Sequence, residues 1–154
     1  MRLQTGLALF ATLEPRSGSS VKGTVEFQQF PAGVRAHIEL SGFVPGSEHG
    51  FHVHEKGDCA AGDALSAGGH FNPTAQAHGR LTEKIHHAGD LPSIVADAAG
   101  KVSVDIKLSG VTLSPGPTSF VGRSLIVHAN ADDFTTQPSG NSGARIACGV
   151  INAK

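Results

Sequence analysis

The sequence predicts an all-β domain, an antiparallel sandwich or barrel. Apolar residues recur with a period of two along most of the chain, helical periodicity is almost absent, and no crossover helix separates the strand-like runs. The first run is Leu7, Leu9, Ala11 and Leu13. It reads as a strand of the mature protein, because a secretory leader needs a longer unbroken apolar core and a small-residue cleavage site. Val21, Gly23, Val25 and Phe27 alternate next, then Val34, Ala36, Ile38 and Leu40, then Val102, Val104, Ile106 and Leu108. Turn chemistry separates these runs, at Pro15 to Ser20, Pro31-Ala32-Gly33, Pro45-Gly46-Ser47 and Ala98-Ala99-Gly100. Ser124 to Ala129 and Ala147 to Ile151 give two further short strands. Two stretches lack the period: Glu55 to Asp90, rich in Gly and His, and Ala131 to Ala144, polar and Gly-rich. Irregular segments of such length in a compact domain are usually functional or disordered.

A chain of 154 residues suits one domain spanning 1–154. Its 39% hydrophobic and 16% charged residues are a globular composition. A formal net charge of −1 provides no basic field for nucleic acid or an anionic membrane. No apolar run is long enough for a membrane-spanning helix. Cys59 and Cys148 lie 89 residues apart without metal-type spacing. They are either two separate buried thiols or a disulfide. A disulfide closing so long a loop would contribute about 4–5 kcal/mol in the chain-entropy model, and it points to an oxidising compartment.

Seven of the nine histidines fall between His49 and His87. In His52-Val53-His54 the two imidazoles share one face of a strand and reach one metal ion together. His70, His78, His87 and Asp90 follow, three imidazoles and a carboxylate that suit tetrahedral zinc. His128 ends the apolar strand Leu125-Ile126-Val127 and can face the first pair. His37 and His86 read as ordinary hydrogen-bonded residues. A His-x-His pair alone also occurs in cupins, metallo-β-lactamases and amidohydrolases. Here Asp58 follows His54 at four residues, not two, the cupin glutamate is missing, and the chain is too short for an amidohydrolase barrel. Seven candidate ligands exceed one imidazole-rich shell and point to two ions.

Five longer motifs carry a family resemblance: Gly50-Phe51-His52-Val53-His54-Glu55, the run from Ser66 to Pro73 containing Gly68-Gly69-His70, His87-Ala88-Gly89-Asp90-Leu91, Gly122 to His128, and Gly140 to Ile151. In this order they resemble the copper,zinc superoxide dismutase family over nearly the whole chain. The resemblance implies a Greek-key, immunoglobulin-like sandwich of about eight strands with two long functional loops. It implies one copper and one zinc per subunit, with superoxide as substrate. His52, His54 and His128 resemble the copper ligands, His70 the imidazolate bridging both metals, and His78, His87 and Asp90 the remaining zinc ligands. His49 resembles a structural histidine that hydrogen-bonds backbone near the copper strand, and Asp132 a carboxylate linking a copper ligand to a zinc ligand. Arg145 resembles the anion anchor, expected on a Gly-rich loop, and Cys59–Cys148 the family's disulfide.

The early position of Cys59 and the long segment from Ala60 to Gly69 resemble the bacterial, periplasmic branch. That implies a periplasmic or other extracytoplasmic setting and a homodimer whose interface the sequence leaves unassigned. The stretch from Ala131 to Ala144 has no lysine, so steering falls to Lys56 or Lys84. The competing reading is a non-catalytic copper-binding or copper-chaperone domain of the same fold. Such domains tend to lose copper ligands or the arginine, and this chain keeps both.

Overall fold

Residues that alternate in sequence alternate in burial. Along β1 (Ala8–Pro15), Leu9, Ala11 and Leu13 point inward while Thr12 and Glu14 are exposed. The computed structural model describes residues 8–31, 33–73, 75–80, 86–108, 111–114, 116 and 119–153; Leu7, expected in the first strand, and Lys84 lie outside the described residues. The remaining strands are β2 (Lys22–Phe30), β3 (Gly33–Ser41), β4 (Glu48–His49), β5 (Phe51–His54), β6 (Ile94–Val95), β7 (Val102–Leu108), β8 (Ser124–His128) and β9 (Arg145–Val150).

Seven strands form one curled antiparallel sheet in the order β5-β8-β9-β1-β2-β3-β7. The chain crosses from β3 to the far edge at β5, returns to β7 beside β3, and crosses again to β8. These crossovers make the all-β Greek-key arrangement. β1 joins the halves, pairing with β2 through Ala8–Leu13 and with β9 at Glu14 and Pro15. The inner faces meet in one core that includes Phe27, Phe51, Ile38, Leu125 and Phe120. Each such side chain contributes about 1.5–3 kcal/mol on burial. Phe120 anchors it edge-on against Phe27 at 5.7 Å and Phe71 at 6.0 Å.

Three departures from the alternation have physical causes. Val104 is 40% exposed although its period places it inward, because β7 is the last strand of the sheet. Among the described residues the two-residue strands β4 and β6 pair only with each other, and they are too short to show a period. β9 starts at Arg145, two residues before the alternation indicates, so the arginine stands on a strand rather than a loop.

Candidate metal centre

All four residues of β5 are buried. Phe51 and Val53 face the core; His52 and His54 face the opposite side, covered by the Glu55–Asp90 stretch, which returns along the strand. Glu55 N donates to Gly69 O at 2.8 Å, Phe71 N to Val53 O at 2.8 Å, and Val53 N to Gly89 O at 2.9 Å. These bonds bring His70 opposite His54 and Asp90 opposite His52. Gly89 is required there, since a Cβ would collide with the Val53 carbonyl. The same loop forms a 3₁₀ turn at Leu65–Ala67.

Four imidazoles form the first group: His52, His54, His70 and His128, with ligand atoms all within 4.8 Å of one another. The Nδ1–H of His54 donates to Gly68 O at 2.9 Å, and that of His128 to Gly143 O at 3.3 Å. The Nε2–H of His52 donates to Asp132 Oδ2 at 2.8 Å. Each ring therefore turns a lone pair inward. His52 Nδ1 and His70 Nε2 are buried with no hydrogen-bond partner. An unmade buried hydrogen bond costs about 1–3 kcal/mol, and two on rings stacked at 3.9 Å mark a place for a cation. Burial, then the neighbouring imidazoles and Arg145, holds His54 and His128 well below the usual histidine range. Burial lowers His52 and brings His70 to about 4.

The second group centres on Asp90. Its Oδ1 lies 2.8 Å from His78 Nδ1, 3.0 Å from His70 Nδ1 and 3.3 Å from His87 Nδ1. His70 and His87 Nδ1 are 3.0 Å apart. A tetrahedral zinc shell with bonds near 2.0–2.1 Å has edges of roughly 3.3 Å, close to the 3.0–3.3 Å that separate Asp90 Oδ1, His70 Nδ1 and His87 Nδ1 from one another. The set whose atoms all lie within 4.8 Å contains His52 in place of His87. His52 Nε2 is held by Asp132, and its Nδ1 also belongs to the first group, so His52 and His70 are common to both sets. Asp90 Oδ2 accepts the backbone N–H of His87 at 2.7 Å and of Gly79 at 3.1 Å. Burial raises the Asp90 pKa, but bonds to His70, His78 and His87 outweigh it and hold it far below the carboxylate range.

Asp132 links the groups. Its Oδ2 takes His52 and its Oδ1 takes His78 Nε2 at 2.8 Å, with Phe134 N on Oδ1 at 2.7 Å. Burial lowers the His78 pKa, yet Asp132 and Asp90 on its two nitrogens raise it to about 9. His49 Nδ1–H donates to His128 O at 2.8 Å, and its Nε2 meets Ser47 Oγ at 2.7 Å, which fixes the strand carrying His128.

Arg145 faces His128 across the irregularity in the β8–β9 pairing. Its Nη1 donates to Ala64 O at 3.0 Å. Ala64 presents that carbonyl from a left-handed conformation, φ 61°, which is uncommon for a non-glycine residue. Cys59 and Cys148 are bonded, with Cα atoms 5.7 Å apart, and pack with Ala64, Ala67 and Ile126. Lys56 is exposed, its backbone fixed by Ala67 and Ser124. His37 bonds Asp105 on the exposed sheet face, and His86 Nδ1–H donates to His87 O. The Ala64 carbonyl and Gln137, which bonds both backbone groups of His78, escaped the sequence because neither has a local pattern.

Residues 21–151 match the family described as copper/zinc superoxide dismutase. The extracellular superoxide dismutase [Cu-Zn] of Brugia pahangi is 42% identical over 150 residues, covering 92% of this chain and 73% of that protein. The superoxide dismutase [Cu-Zn] 2 of Aquifex aeolicus is 40% identical, covering 85% and 79%. The crystal structure of a SOD-like protein from Bacillus subtilis superposes with a TM-score of 0.82 at 40% identity, covering 91% of this chain and 95% of the other.

Proposed function

The chain belongs to the copper/zinc superoxide dismutase family, and we propose that it is an active superoxide dismutase, a single domain over 1–154 holding one copper and one zinc. His52, His54, His70 and His128 would hold copper; His70, His78, His87 and Asp90 would hold zinc, with His70 shared. The observation that carries the reading is the pair of buried, unpartnered nitrogens His52 Nδ1 and His70 Nε2 inside a ring of imidazole lone pairs. When bound, copper supplies the one-electron cycling that zinc lacks.

The protein's own groups do the rest. Arg145, always charged and with a planar fork of donors, docks the substrate anion beside His128. His70 keeps Nδ1 toward Asp90 and His87; its Nε2 takes up a proton and passes it to the substrate oxygen. Two superoxide ions and two protons give one O₂ and one hydrogen peroxide. Asp132 and His49 hold imidazoles in one tautomer and orientation.

The disulfide and the extracellular relative support an extracytoplasmic setting, periplasmic in a bacterium. Among the described residues no helix is long and apolar enough to cross a membrane. A homodimer is part of the proposal. The test is metal titration with a superoxide assay on the same sample: consumption should track bound copper. A chain that binds both metals without consuming superoxide would be a metal store or chaperone-type domain.

A further inference from the structure

The side-chain amide of Gln137 grips both backbone groups of His78. Its Oε1 accepts the His78 N–H at 2.7 Å, and its Nε2 donates to His78 O at 3.0 Å and to Thr135 O at 3.0 Å. One primary amide thus makes the paired bonds that a neighbouring strand would make, across 59 residues of sequence. The gripped residue is the hub of the centre, with Asp90 on one ring nitrogen and Asp132 on the other. The Phe134 ring lies parallel to the His78 ring, centroids 6.3 Å apart. Gly140, φ +71°, closes over the same spot, where a Cβ would strike the Asp132 carboxylate and come within 2.7 Å of His78 Nε2. The 131–144 segment is therefore shaped around His78 from three sides.

We infer that Gln137 is a positioning residue for zinc. It fixes the main chain of His78, so that Nδ1 is aimed at the Asp90 cluster while Nε2 stays on Asp132. The inference rests on the reading of His78 as a zinc ligand. Gln137 touches neither metal position nor substrate and acts only through His78. The chemistry fits glutamine alone among common side chains. Glutamate has the reach but no donor for the His78 and Thr135 carbonyls, and asparagine is one methylene short.

The test is the Zn²⁺ affinity of the full chain, measured by competition with a chromophoric chelator, with far-UV circular dichroism reporting the folded state. Gln137→Ala should weaken zinc binding about 10–100-fold, the usual cost of removing an outer-shell partner. Gln137→Glu, nearly isosteric and a second variant should the alanine fold poorly, should weaken it in the same direction. Cu²⁺ affinity should move much less in both. In a His78→Ala background, Gln137→Ala should add nothing, because both changes act through one group. Unchanged zinc affinity in both Gln137 variants, or an equal loss for copper and zinc, overturns the clamp. If His78→Ala itself leaves zinc affinity intact, the assignment of His78 fails and the clamp with it.

Discussion

His54 Nε2 and His128 Nε2 face each other at 3.4 Å while the opposite nitrogen of each ring is committed to a backbone carbonyl, Gly68 for one and Gly143 for the other. With Nδ1 carrying the proton on both rings, two lone pairs confront one another in a buried space. That arrangement repels itself unless a cation lies between, and protonation is opposed by burial.

Metal removal exposes this cost as a pH dependence. In the metal-free fold His52, His54, His70 and His128 sit below the ordinary 6.5, with His70 at about 4. The unfolded chain therefore binds more protons between 4 and 6.5, and stability rises with pH through that window. His78, raised to about 9, acts oppositely: its contribution is full below 6.5 and lost as pH climbs to about 9. Urea unfolding of chelator-treated protein should show stability climbing from acid toward 6.5. A flat profile there would contradict it.

Arg145→Ile should leave copper and zinc stoichiometry unchanged, because the guanidinium bonds the Ala64 carbonyl and no histidine. The second-order rate with superoxide should fall about tenfold, the low end of what electrostatic focusing supplies. The salt dependence of the rate should flatten as well. Full activity of the variant at low ionic strength would remove Arg145 as the anion site.

Reduction of Cys59–Cys148 should cost about 4–5 kcal/mol of stability in the loop-entropy model. It also frees the segment around Ala64, which packs on the disulfide and holds Arg145. Activity should fall before the fold is lost. Stepwise reduction monitored by thiol counting, circular dichroism and superoxide consumption checks this order; loss of activity only on unfolding would refute it.

Gly140→Ala places a methyl against Asp132 and His78 Nε2 at a φ of +71°, where side chains are strained. The Asp132 bridge should open, weakening zinc binding about 10–100-fold with the sheet intact. Chelator competition beside circular dichroism reads both, and unaltered zinc affinity would mean that the segment yields without moving the bridge.

The long strands were legible because one face of each meets the core, so burial is written in the sequence as a period of two. β4 and β6 were not, since two residues carry no period. The ligand candidates stood out because His52 and His54 share a strand face and because Asp90 follows His87 at three residues, the spacing that lets one carboxylate oxygen take the His87 N–H and leaves the other near its ring. What holds them was illegible. The Ala64 carbonyl that fixes Arg145 is a backbone atom, and Gln137 finds His78 only after the two loops are folded together. Lys56 and Lys84 were proposed for steering from charge alone; Lys56 is exposed and Lys84 falls outside the described residues.

The most direct measurement mixes the copper- and zinc-loaded chain with superoxide in large molar excess and follows its rate of consumption, and the products, against the uncatalysed decay in buffer. A dismutase consumes superoxide far faster than buffer alone through many turnovers per copper, releasing one O₂ and one hydrogen peroxide for every two superoxide ions, and the zinc-only chain leaves the uncatalysed rate unchanged. Acceleration that ends after one superoxide per bound copper, with the remainder decaying at the uncatalysed rate, would show a metal that is reduced once and never reoxidised, and would contradict the account.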